Sequence, residues 1–161
     1  MASAGNEASS APSYPAAYNG VVSVSATTID DSTAGYSNFG STIDVAAPGG
    51  SNITDINGDG IGDGVISTMA DDSDPLNLRL GYASLQGTSM AAPHVAGVVA
   101  LMKAVHPGLT PMQFDNALAS GSITDDLGLP GRDDRYGWGL DRKSTRLNSS
   151  HSSVSRMPSS A

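Results

Sequence analysis

Residues 87 to 97 read Gly87-Thr88-Ser89-Met90-Ala91-Ala92-Pro93-His94-Val95-Ala96-Gly97, and the architecture follows from them. From Met90 to His106 apolar residues recur at helical spacing through Val95, Val98, Val99, Leu101, Met102 and Val105, until His106-Pro107-Gly108 stops the helix. Ser89 then sits in the first helical turn. There, unpaired backbone N–H groups and the positive end of the helix dipole stabilise a developing oxyanion or alkoxide. Gly87 and Thr88 allow close backbone approach, and Ala91, Ala92, Ala96 and Gly97 let the helix lie tightly on a sheet. On composition alone such a serine is more often a helix cap than a nucleophile.

Outward from this helix, Val21 to Ser25 (VVSVS) and Ile43 to Ala47 (IDVAA) are short and β-branched. They are bounded by Asn19-Gly20, Gly40 and Pro48-Gly49-Gly50, and read as buried strands. Val65 to Met69 is a third candidate. A second helix is predicted from Thr110-Pro111, a capping residue followed by proline at the first helical position, to about Ser120-Gly121. Strands alternating with helices predict an α/β fold, a parallel sheet flanked by helices.

The chain has 161 residues with 19 Gly, 9 Pro, 5% aromatic and 15% charged residues, the profile of one turn-rich domain. The longest apolar segment, Val95 to Val105, is broken by Lys103, so no membrane partner is expected. With 8 basic against 16 acidic groups, a net charge of -8, no nucleic-acid partner is expected either. The absence of cysteine excludes disulfides and thiolate chemistry.

Residues 141–161 stand apart. Asp141 to His151 (DRKSTRLNSSH) and Ser155 to Ala161 (SRMPSSA) match what the two parts of a common short-read sequencing adapter would encode in one frame. This tail is therefore set aside as an expected disordered artefact, leaving 1–140 as the domain. Its removal takes away four basic groups and Asp141, so 4 basic groups face 15 acidic ones.

The eleven residues from Gly87 to Gly97 resemble the active-site serine signature of subtilisin-like serine proteases. Ala4-Gly5-Asn6 looks like the family's oxyanion-hole segment and Tyr14-Pro15 its following loop. Val21 to Thr27 and Ile43 to Gly49 look like its next strands, and Tyr136-Gly137-Trp138-Gly139-Leu140 like its closing segment. The resemblance covers residues 1–140 and implies the carboxy-terminal part of a peptidase catalytic domain with an incomplete subtilisin-like sheet. It implies a hydrolase acting on protein or peptide substrates, with Ser89 as nucleophile and Asn6 donating its side-chain amide to the tetrahedral intermediate. Ser3, Ala4, Gly5 and Thr88 would bind substrate, and secretion is expected.

The family's mechanism needs Asp, His and Ser in that chain order, and only the serine is here. His94 lies about 7.5 Å along the helix and about 140° around it from Ser89, and His106 about 25 Å along, so neither reaches the hydroxyl. His94 is expected to be structural. The aspartate and histidine are expected upstream of Met1, in a missing part of the same domain that would pack with this one, and the chain alone is expected to be inactive.

Asp55-Ile56-Asn57-Gly58-Asp59-Gly60-Ile61-Gly62-Asp63 places oxygen side chains at loop positions 1, 3, 5 and 9 with glycine at 6, the spacing that wraps a chain around Ca²⁺. Asp55, Asn57, Asp59, Asp63 and the Ile61 carbonyl are the expected ligands of a structural calcium ion. Position 12 is Ile66, not a bidentate glutamate, so an EF-hand is not implied. Two other readings compete. An α/β-hydrolase would need an Asp and then a His after the serine, and a non-catalytic calcium-binding module of a secreted protein would leave the serine motif unexplained.

Overall fold

The computed structural model describes residues 1–71 and 79–141. Three parallel strands, β1 (Ala2–Ser3), β2 (Ser23–Thr27) and β3 (Val45–Pro48), lie side by side, with Ser3 opposite Val24 and Val24 opposite Val45. A hairpin of β4 (Val65–Asp71) and β5 (Arg79–Leu85) forms a separate antiparallel pair. Helices α1 (Thr88–Val105) and α2 (Pro111–Ala119) follow. Two short strands, β6 (Thr124–Asp125) and β7 (Leu140–Asp141), complete a five-stranded sheet of order β1-β2-β3-β7-β6, in which β7 runs parallel to β3 and antiparallel to β6.

β2 is buried at all five positions because both its faces are covered, as is usual in parallel sheets. On one face Val24 and Ala26 join Val45 and Ala47 against Ala91 and Val95 of α1 and Phe114 and Leu118 of α2. On the other, the Ser25 hydroxyl donates to the carbonyl of Arg135, 2.7 Å away. The closing segment locks onto β3, where Trp138 N–H donates to the Asp44 carbonyl at 2.8 Å and Ala46 N–H to that of Gly139 at 3.0 Å.

The expected α/β class holds, with a different element order. Three strands come first without helices between them, and loops 4–22 and 28–44 make the crossovers. These loops are held by their own backbone bonds, such as Ala8 N–H to the Tyr36 carbonyl and Ala34 N–H to the Ala26 carbonyl, both 2.9 Å. β2 and β3 each begin two residues later than the hydrophobic pattern predicts: the β1–β2 register opens at Ala2 opposite Ser23, with the Val22 carbonyl accepting from Ala2 N–H at 2.9 Å, and the β2–β3 register opens at Val24 opposite Val45. β4 is no buried strand: its outer positions, including Ile66 and Met69, are exposed. Asp141, assigned by sequence to the tail, is paired with Thr124 in β7 and buried. The rest of the proposed tail lies outside the described residues.

α2 is capped as its sequence predicts, with Gln113 N–H donating to the Thr110 hydroxyl, Thr110 N–H donating to the Gln113 side chain, and Pro111 at the first position. α1 has 18 residues and a mean hydropathy of 1.3, long and apolar enough to cross a membrane by length and composition, where the sequence reading expected no such segment. Its Ala, Gly and Val content raises the average, and its buried residues Thr88, Ala91, Val95 and Val98 mark one packed face.

That one-sided packing has a measurable consequence. Val95 is 1% exposed and Val105 88%. Val95→Ala should cost roughly 1–3 kcal/mol, whereas Val105→Ala should stay within about 0.5 kcal/mol. Urea unfolding midpoints compare the two, and equal losses would contradict the packing.

Candidate functional site

Ser89 lies on the second residue of α1, exposed, behind a buried Thr88. The helix is capped across the molecule: Asn6 Oδ1 accepts from the Thr88 N–H at 2.9 Å and from the Thr88 hydroxyl at 2.9 Å. In turn Thr88 Oγ1 accepts from Gly5 N–H at 3.1 Å. Residues 82 positions apart are thereby joined. Because Oδ1 is doubly occupied as an acceptor, the Asn6 Nδ2 group is the end left to donate outward.

Gly87 makes this approach possible. Its φ of 146° lies where side chains are disfavoured, and a Cβ there would stand 3.4 Å from Asn6 Nδ2. Its N–H donates to the Gly49 carbonyl at 3.0 Å, tying the start of α1 to the end of β3. Inside the helix Pro93 has no N–H to offer the Ser89 carbonyl four residues before it.

The loop carrying Asn6 is organised by a residue the sequence reading missed. Asn38 is 4% exposed. Its Nδ2 donates to the Ala4 carbonyl at 3.0 Å and to the Glu7 carboxylate at 2.8 Å, and its Oδ1 accepts from Glu7 N–H at 3.0 Å and Ser9 N–H at 3.1 Å. Its backbone N–H donates to the Gly5 carbonyl, also at 3.0 Å. The partners are 29 to 34 residues away, so no local pattern marks Asn38.

Ser3 ends β1 and Ala4 donates its N–H to the Val24 carbonyl at 3.0 Å, which places Ser3, Ala4 and Gly5 along the sheet edge that leads to Asn6. No described residue hydrogen-bonds the Ser89 hydroxyl. The His94 ring is engaged through Nδ1 with the Met90 carbonyl at 2.8 Å, the structural role expected of it. His106 is at the far end of α1, its C-cap.

The five expected calcium ligands do not converge as a ready cage. Among the described residues no three His, Cys, Asp or Glu side chains are grouped to hold a metal ion. Instead the loop turns its side-chain oxygens onto its own backbone. Asp55 accepts from Gly58, Asp59 and Gly60 N–H groups at 2.7 to 3.1 Å, Asn57 from Asp59 N–H at 2.9 Å, and Asp59 from Ile61 N–H at 2.9 Å.

A profile of the subtilase family matches residues 1–139. The chain is 43% identical over 120 residues to an extracellular protease of Xanthomonas campestris, which covers 73% of this chain and 18% of that protein. It is 37% identical over 118 residues to subtilisin BL of Lederbergia lenta, covering 73% of this chain and 36% of that one. Among solved structures, a protease from Pseudoalteromonas arctica superposes with a TM-score of 0.71 at 37% identity, over 91% of this chain and 41% of that one. A lanthipeptide protease gives 0.69 at 31% identity, over 91% and 50%. The chain thus spans half or less of each relative's length.

Two tests follow from the scaffold around Asn6 and Gly87. Asn38→Ala would strip partners from Ala4, Glu7 and Ser9 and should cost roughly 1–3 kcal/mol, read by urea unfolding; a loss near zero would mean water replaces the carboxamide without penalty. The second concerns Tyr36, whose hydroxyl donates to the Gly50 carbonyl at 2.8 Å. Burial pushes this phenol up to about 12, against a hydrogen bond with the Gly87 backbone that lowers it. An unfolded tyrosine ionises near pH 10, so the stability held by the neutral phenol is complete below about pH 10 and is lost as pH rises to about 12. Between those limits the unfolding free energy should fall more steeply in the original chain than in Tyr36→Phe, and parallel slopes would refute the assignment.

Proposed function

Because this chain belongs to the subtilase family, we propose that it carries the nucleophile and the oxyanion-stabilising half of a secreted serine endopeptidase. The observation that carries the reading is the Asn6–Thr88 contact, which sets a side-chain amide beside the helix start that bears Ser89. Family membership also removes the α/β-hydrolase reading and the reading as a calcium-binding module alone.

In this mechanism the Ser89 hydroxyl attacks the carbonyl carbon of a peptide bond, giving up its proton to a histidine supplied by residues outside these 161. The carbonyl oxygen becomes an oxyanion, which takes a hydrogen bond from Asn6 Nδ2 in a geometry fixed before substrate arrives. The C–N bond breaks, the leaving amine takes the proton, and an acyl-enzyme remains on Ser89 until water hydrolyses it. Ser3, Ala4 and Gly5 line one side of the pocket for the residue before the scissile bond, whereas Thr88, expected to bind substrate, is fully buried and holds Asn6 and Gly5 instead. Calcium enters this reading only as a structural cofactor.

The test uses a complete catalytic domain containing this segment. A serine-directed phosphonylating or sulfonylating reagent should modify Ser89 and abolish proteolysis, and Ser89→Ala should be inactive. Asn6→Ala should lower kcat roughly 100- to 1,000-fold with KM little changed, a magnitude carried over from a relative. The 161-residue chain alone should hydrolyse protein no faster than background. Labelling elsewhere, or full activity in Ser89→Ala, would overturn the reading.

A further inference from the structure

The loop between β3 and β4 holds one buried carboxylate that its surroundings do not satisfy. Asp63 is 8% exposed, and its Oδ1 atom is buried with no hydrogen-bond partner. The other oxygen, Oδ2, accepts from the N–H of Ile56 at 2.5 Å, so the carboxylate faces back into the loop. The backbone of the same residue closes that loop, with Asp63 N–H donating to the Thr54 carbonyl and Ser51 N–H donating to the Asp63 carbonyl, both 2.8 Å. Residues 52–64 contain Asp55, Asp59 and Asp63 and no lysine or arginine. Desolvating a carboxylate oxygen without a partner is costly, and a cation removes that cost most directly.

We propose that Asp63 Oδ1 is a ligand of one Ca²⁺ ion gathered by Asp55, Asn57, Asp59 and the Ile61 carbonyl. The donor set is all oxygen, which suits a hard divalent cation and excludes a soft one. Asp55, Asn57 and Asp59 are exposed, so their side chains can turn inward while keeping acceptor capacity for the backbone groups they now hold. The residue at the twelfth position, Ile66, is 56% exposed on β4 and offers no carboxylate, so water completes the coordination. Without that bidentate ligand the affinity falls in the weak range of extracellular modules, about 0.1–1 mM.

The position of the loop gives the ion a consequence beyond its own residues. Asn52, at the loop's entry, receives no freedom from its neighbours: its N–H donates to Gln86 Oε1 at 2.6 Å, its Nδ2 to the Ser84 carbonyl at 3.1 Å, and its Oδ1 accepts from the Ser84 hydroxyl at 2.9 Å. Gln86 directly precedes Gly87, the cap of α1. Closing loop 52–64 therefore braces the strand that delivers Ser89. The proposal does not depend on the protease reading, since it concerns only the binding of a cation.

Calorimetric titration of CaCl₂ into the 161-residue chain, with hydrogen exchange followed by residue, tests this. One ion should bind with a Kd of about 0.1–1 mM, and amide protection should rise across 52–64 and extend to Gly87. Asp59→Asn, an exposed change that leaves folding intact, should weaken binding tenfold or more, as should Asp63→Asn, while Asp115→Asn on α2 should not. Absence of saturable binding, unchanged affinity in Asp59→Asn, or protection confined to another segment would overturn it.

Discussion

One carboxamide oxygen holds the loop after β1 in register with the start of α1. Asn6 Oδ1 takes both hydrogen-bond donors of Thr88, and Thr88, which is fully buried, returns its lone pair to Gly5. Each bond alone contributes about 1 kcal/mol. Their weight comes from geometry: they fix where the loop after β1 meets the first turn of α1, and they decide which end of the Asn6 amide points outward. A neutral cap supplied from a distant loop also leaves the positive end of the helix uncompensated by any acidic residue in its first turn. That end stays available to negative charge developing near Ser89.

Around this contact the backbone does most of the positioning. Gly49 and Gly50 both donate to the Thr27 carbonyl, at 2.9 and 3.0 Å, and the Gly49 carbonyl accepts from Gly87, so the ends of β2 and β3 and the start of α1 form one hydrogen-bonded junction. A Cβ on Gly49 would come within 2.8 Å of the Gly87 carbonyl and the Tyr36 hydroxyl. The glycines of Ala-Pro-Gly-Gly and Gly-Thr-Ser are there because two backbones and a phenol must meet with no side chain between them. The same junction continues through Ser51 into the acidic loop, which is how a surface cation can be felt at the helix cap.

The sequence revealed most where a signal was local. The end of α1 at His106-Pro107-Gly108 and the start of α2 at Thr110-Pro111 follow from caps and proline, whose effects act within a few residues. The hydrophobic pattern puts β2 two residues early because Val21 and Val22 look like strand on their own, whereas its pairing is set by β1, a two-residue strand with no pattern of its own. β5 was missed because Arg79–Leu85 alternates poorly and gains its structure only by pairing with β4. Asn38 was invisible for the same reason: its four side-chain bonds all run to residues 29 to 34 positions away. Ser89 stands out through the eleven-residue motif and Asn6 through its own short segment, while nothing in their spacing announces that Asn6 meets Thr88.

The arrangement separates two chemical tasks along the chain. In the function proposed above, stabilising negative charge and presenting the hydroxyl would both belong to one packed body of β1, β2 and α1, since α1 rests on these strands through Ala91 and Val95. The relative position of Asn6 and Ser89 is therefore intrinsic to this chain. Proton transfer is not, because neither described histidine is placed to serve: His94 is turned to the Met90 carbonyl and His106 stands at the other end of the helix. On that proposal, a group accepting the Ser89 proton would meet a hydroxyl and an amide already placed, and its arrival need not reshape them. The electrostatic part of that proposed site can be rigid for that reason, with its support drawn from Asn38, Thr88 and the glycine junction instead of from the acid–base partner.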